Sequence, residues 1–181
     1  LAVLDEHHWG RASEGIMTTD TYPKLTSRRV EIDGVPITVT GMAKGSGMIK
    51  PNMATMLGFI ATDAPIAKPL LDQWVKTLAD KSFNRVTVDG DTSTNDACML
   101  ISTATAQMPE IQALDDHSQL LYQALESVFV ELAQALVRDG EGATKFVAIT
   151  VAGADSESDA RTVAETIAHS PLVKTALFAS D

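Results

Sequence analysis

The sequence predicts an α/β or α+β protein built in layers. A hairpin signal lies at 29–40, where Val30/Ile32 and Ile37/Val39 flank Asp33-Gly34, a dipeptide that accepts the positive φ values of a tight turn. Two stretches, Pro65 to Asp80 and His117 to Arg138, carry apolar residues at helical spacing. Short apolar runs bounded by polar loops alternate with them and read as strands.

In chain order, Trp9 to Met17 fits a short helix through Ala12, Ile16 and Met17. Thr18-Thr19-Asp20-Thr21 then precedes Pro23, which forbids helix there. This cluster reads either as a polar turn with Asp20 as a local cap or Asx-turn, or as a group of substrate-facing hydroxyls. The hairpin delivers the chain to 41–50, a glycine-punctuated stretch with Lys44 and Lys50 that reads as a flexible loop. At Ala54-Thr55 the chain changes into an apolar run expected to be a buried strand. Pro65 is expected in the first turn of the next helix, whose apolar positions are Ile66, Leu70, Leu71, Trp74, Val75 and Leu78. Arg85 to Val88 predicts a short strand.

Asp89 to Asp96 holds three carboxylates and no apolar side chain. A calcium loop is excluded, because Thr94 and Leu100 stand where the glycine and the bidentate glutamate would be needed. The run is expected either to cap a helix starting near Asn95 or to border a site. The long helix carries Leu120, Leu121, Leu125, Val128, Leu132, Ala135 and Leu136 on one face. Gly140 is expected as its left-handed cap. A strand over Lys145 to Val151, a helix from about Asp159 to His169 and an apolar stretch over Leu172 to Phe178 follow.

The 181 residues suffice for one domain with a substantial core, and 45% apolar with 21% charged residues argues against disorder. A net charge of −10 argues against a nucleic-acid partner. The four histidines form no metal-ligand pattern. Cys98, the single cysteine, permits no intrachain disulfide, and a reducing, cytoplasmic setting is expected. No run of about 18 continuous apolar residues marks a membrane span. Leu1-Ala-Val-Leu4 and the apolar pattern near the last residue give the expectation of a piece from a longer protein.

Candidate chemistry narrows by exclusion. Gly41, Gly45 and Gly47 fit neither the phosphate-loop nor the dinucleotide spacing, and no G-x-S-x-G elbow occurs. With no histidine near it in the pattern, Cys98 is expected to be structural rather than nucleophilic. Thr55 stays open between a β-branched residue opening a strand and a nucleophile. A threonine needs an adjacent base, and an N-terminal threonine has one in its own α-amino group, with a pKa of about 7.7–8.0. That arrangement requires cleavage of the Ala54–Thr55 bond. Small Ala54 permits the close approach of an N→O acyl shift.

Five blocks carry a resemblance: Met17-Thr-Thr-Asp-Thr21, Gly41-Met-Ala-Lys-Gly-Ser-Gly-Met48, Pro51-Asn-Met-Ala-Thr-Met-Leu57, the run from Ser82-Phe-Asn-Arg85 through Thr87-Val-Asp-Gly-Asp-Thr-Ser-Thr-Asn-Asp96, and Asp139-Gly-Glu-Gly-Ala-Thr-Lys145. In this order they resemble the ornithine acetyltransferases, the bifunctional glutamate N-acetyltransferases of arginine biosynthesis. The resemblance implies part of an αββα-type sandwich. It makes Thr55 the autoproteolytic nucleophile, freed by cleavage after Ala54. Residues 1–54 would then end an alpha chain and 55–181 begin a beta chain, the two assembling as a heterotetramer.

Thr18, Lys44 and Glu141 match substrate-binding positions: Lys44 suits an amino-acid carboxylate and Glu141 an ornithine amino group. The implied reaction moves acetyl from N2-acetylornithine to the threonine and then to glutamate, without metal or cofactor. The resemblance also makes acetyl-coenzyme A a candidate second donor, as some members of the family use it. The family's chains are longer, with the oxyanion-hole Thr-Gly pair upstream of Leu1 and an Asn and Thr of the substrate site downstream of Asp181. Loss of the oxyanion donors would remove about 2.7–4 kcal/mol of transition-state stabilisation, so these residues alone are expected to be inactive or nearly so. Two alternatives share the sequence: an N-terminal-threonine hydrolase related to aminopeptidases of similar fold, and an uncleaved scaffold.

Overall fold

A four-stranded sheet forms where the period-two apolar residues find partners. The computed structural model describes residues 5–50, 56–92 and 97–180. Strands β1 (Lys24–Ile32), β2 (Val35–Lys44), β3 (Leu57–Thr62) and β4 (Ala97–Ser102) lie in sequence order across the sheet. The β1–β2 and β2–β3 pairings are antiparallel and β3–β4 is parallel. Asp33 (φ 51°) and Gly34 (φ 80°) make the expected tight turn between β1 and β2.

Helix α1 (Trp9–Gly15) precedes the sheet, and α2 (Lys68–Lys81) connects β3 to β4, the crossover that a parallel pair requires. Helix α3 (Gln119–Arg138) lies on β1 and β2. Its buried residues, among them Leu121, Leu125, Val128, Leu132 and Leu136, recur every three or four positions. Each fully buried side chain of this size contributes about 1.5–3 kcal/mol. Trp74 meets Tyr122 edge-on at 5.3 Å and so joins α2 to α3. Helix α3 is long and apolar enough to cross a membrane by length and composition alone. Its apolar face is instead occupied by the sheet.

The expected mixed α/β layering is therefore present, as one sheet with α2 and α3 packed on one face. On the other face Leu25, Met42, Phe59 and Met99 stand in one cross-strand row, with Leu25 and Met99 exposed. One β layer and one α layer of the implied sandwich are thus seen among the described residues.

Several local expectations are corrected. Gly41 to Lys44 is strand rather than loop, because β3 pairs with it throughout. Gly41 serves close packing: a Cβ there would lie 2.8 Å from Val128 Cγ1 and 3.0 Å from Ile60 Cγ1. Helix α2 starts at Lys68, with Pro69 rather than Pro65 in its first turn. Arg85 closes a 3-10 turn over Phe83–Arg85, and Val88 makes a single backbone bond to Ile49 (2.6 Å) rather than a ladder. The chain at 97–102 is strand β4, not helix, since β3 offers it a parallel edge.

Gly140 does not take a left-handed conformation; Gly142 does, at φ 71°. Gly140 instead lies against Val88, whose methyls would be 2.9 Å from a Cβ. Leu120, placed on the apolar face by its periodicity, is exposed. Lys145 to Val151, expected as a strand, joins no ladder among the described residues. The last segments form α4 (Glu157–His169) and α5 (Pro171–Ala179).

Candidate functional site

Three of the motif-bearing segments meet at one end of β2. Asp20, at the end of the Met-Thr-Thr-Asp block, is buried, and so is Lys24 at the start of β1. The Lys24 ammonium lies 2.6 Å from Asp20 Oδ1 and 2.5 Å from Asp139 Oδ2, the latter just beyond α3. Asp20 also accepts the Gly45 N–H at 2.7 Å and the Thr18 N–H at 3.2 Å. Asp139 accepts the Thr21 N–H at 3.0 Å and the Thr21 hydroxyl.

These bonds decide the charge states. Burial alone pushes the Asp20 carboxyl up, but the Gly45 N–H, Lys24 and the Thr18 N–H together outweigh it and hold it below its ordinary value. Asp139 follows the same balance: burial raises it, and Lys24 with both Thr21 donors lowers it further than burial lifts it.

Above this triad sits the loop at 45–50, which Gly45 enters at φ 146°. Ser46 is buried; its hydroxyl pairs with that of Thr19 at 2.7 Å, and its carbonyl accepts the Glu141 N–H at 2.7 Å. Gly47 faces the Glu141 carboxylate, whose atoms would lie 2.7–2.9 Å from a Cβ at that position. Asp89 borders the loop from the far side, accepting the Met48 N–H at 2.5 Å, and Thr92 donates to the Lys50 carbonyl at 3.2 Å. The 89–92 part of the acidic run is therefore a border to this loop, not a helix cap.

Of the sequence-predicted site residues, Thr18, Lys44 and Glu141 are carried by these converging segments. Thr18 and Glu141 are exposed and Lys44 is half-buried. Among the described residues, the Lys44 ammonium has no ion-pair or hydrogen-bond partner. Ala54 and Thr55 lie outside the described residues. A cleft of about 1110 Å³ opens beside the loop, with Lys50, Thr87, Glu141, Lys145 and His169 on its walls. Cys98 packs against the core, and burial pushes its thiol up to about 12, which suits a structural residue.

The hydroxyl cluster at 18–21 is thus divided: Thr19 and Thr21 are committed to Ser46 and Asp139, and Asp20 is an ion-pair member rather than only a turn residue. Sequence reasoning missed Lys24, Ser46 and Asp139. Lys24 had one available signal: in β1 it shares strand parity with Thr26, Val30 and Ile32, so a charge falls on the core-facing side.

Fold and site together define an α/β layered protein that presents a lysine, a threonine and a glutamate around a glycine loop, above a buried ion triad. Comparison with known proteins makes this specific. The sequence profile of the ArgJ family matches residues 2–181, and the chain belongs to that family. It is 57% identical over 179 residues to the arginine biosynthesis bifunctional protein ArgJ of Pseudomonas fluorescens, covering 98% of this chain and 44% of that one. The ArgJ protein of Methylococcus capsulatus is 56% identical over 178 residues, with 98% and 44% covered. The chain thus spans less than half the length of these curated relatives. The crystal structure of the ArgJ protein of Bacillus halodurans superposes with a TM-score of 0.67 at 39% identity, covering 70% of this chain and 60% of that one.

Proposed function

We propose that this chain carries the nucleophile and part of the substrate site of a glutamate N-acetyltransferase acting in arginine biosynthesis. The observation that carries the reading is the convergence of the Thr18, Lys44 and Glu141 segments on Ser46 and Gly47. Names of relatives as arginine biosynthesis bifunctional proteins support the same pathway.

In this reading the Ala54–Thr55 bond is cut by the chain itself, and the new α-amino group serves as base for the Thr55 hydroxyl. Thr55 Oγ attacks the acetyl carbonyl of N2-acetylornithine. The amide C–N bond breaks, the proton passes to the leaving nitrogen, and ornithine departs. The amino group of glutamate then attacks the ester and restores the hydroxyl. Lys44 holds the substrate carboxylate by charge, and Glu141 holds a substrate amino group. No metal or cofactor takes part, and the cut chains assemble as a heterotetramer in the cytoplasm.

Acetyl transfer in the natural full-length protein, assayed with and without glutamate, tests the proposal. Transfer that depends on glutamate is expected, whereas acetate release regardless of glutamate would mark a hydrolase. The same assay with acetyl-coenzyme A decides whether it is a second donor. Thr55→Ala should abolish both self-cleavage, read by intact mass, and transfer; cleavage that persists in this variant would refute the nucleophile.

A further inference from the structure

Thr18 and Glu141 each lie two residues from a carboxylate of the buried triad, and Lys44 is next to a residue bonded to it. Asp20 takes the backbone N–H of Thr18 itself and of Gly45, the residue after Lys44. Asp139 is two residues before Glu141, whose own N–H is bonded to Ser46 in the loop that follows Lys44. Lys24 bridges the two carboxylates from the core side, with no side-chain exposure. It is therefore the joint between the end of α1's following segment, the end of β2 and the end of α3.

We infer that Lys24 is a positioning residue for the proposed transfer: by holding Asp20 and Asp139 on one ammonium, it sets the spacing of Thr18, Lys44 and Glu141. It touches no substrate. The inference rests on the acetyltransferase reading and adds to it a residue outside the substrate-contacting set. A buried cation could serve stability alone, since two carboxylates so close need a counter-charge. What points beyond stability is where the bonds lead: Asp20 holds the backbone of Thr18 and of Gly45 beside Lys44, and Asp139 holds Thr21 in the Thr18 segment while itself standing two residues before Glu141.

The test uses the natural full-length protein. Lys24→Met alone leaves two unscreened carboxylates and risks unfolding. The pair Lys24→Met with Asp139→Asn keeps the cluster's net charge, because one cation and one anion are removed together. Expected for the pair is a cooperative melt, a KM for both N2-acetylornithine and glutamate raised about tenfold or more, and kcat within about threefold, as misplacement of binding groups predicts. An unchanged KM in the folded pair would overturn the inference. Failure of the charge-matched pair to fold would overturn it too, because the triad would then be a folding element. Absence of transfer in the parent protein would instead sink the acetyltransferase reading itself, so the two failures are told apart.

Discussion

Two glycines near the site are constrained by different neighbours, and substitution should separate them. A methyl on Gly47 would press on the Glu141 carboxylate, the exposed end of a long side chain with rotamers that turn it aside. Gly47→Ala is therefore expected to leave the melting temperature nearly unchanged while raising KM in the proposed reaction. A methyl on Gly41 would meet Val128 and Ile60, both fully buried, at 2.8–3.0 Å. Gly41→Ala should cost about 1–3 kcal/mol by overpacking, read by denaturant unfolding. Expecting flexibility from both glycines is natural in the sequence, but only contacts distinguish them.

The triad adds a pH dependence at the same scale. Asp20 and Asp139 have folded values below the ordinary 3.8. Groups depressed in this way contribute stability that is present above the ordinary value and is lost as pH falls through the folded ones. The native protein should therefore lose stability below about pH 4. Asp139→Asn should flatten that acid limb in melts recorded across pH, and an unaltered limb would show that the pair carries little of it.

At the scale of elements, α3 and α4–α5 are held by different forces. Helix α3 has an apolar face buried on the sheet. Neither α4 nor α5 contributes a fully buried residue. Polar bonds tether them: Arg161 to the Asn84 carbonyl at 2.8 Å, His169 to the Thr87 hydroxyl at 3.2 Å and Lys174 to the Val88 carbonyl at 2.9 Å. Such an attachment opens at lower free energy than a core helix. Hydrogen exchange in this chain should be faster over 157–179 than over 119–138.

Acid should widen that gap. Burial first, and then the charges of Lys50 and Lys174, hold His169 below its ordinary 6.5 against the pull of Glu165. A depressed histidine favours the docked state above the ordinary value, and that contribution disappears as pH falls through the folded value. Equal exchange in α3 and α4–α5 at all pH would contradict this account.

At the scale of the whole molecule, the described residues form one α/β layer pair that places three motif-bearing segments around one loop. The acetyltransferase reading takes Thr55 and the contacts Thr18, Lys44 and Glu141 from the family resemblance, and the convergence of the last three segments supports it. Much of this was legible beforehand. The hairpin, α2 and α3 follow from alternation, turn chemistry and helical spacing, all set by residues a few positions apart. The motif blocks carrying Thr18, Lys44 and Glu141 were legible as well, because they are contiguous.

What the tertiary structure alone decided concerns partners distant along the chain. Lys24 and Asp139 are separated by 115 positions, and Asp20 and Gly45 by 25. Strand β4 is a strand because β3 offers it an edge, whereas 145–151 joins no ladder among the described residues. By itself the sequence determined which segments are helical or extended in tendency, and which motifs they carry. Only folding decided which charges are buried together, which glycines are steric and which apolar runs join a ladder, because burial and cross-strand pairing are properties of neighbours in space.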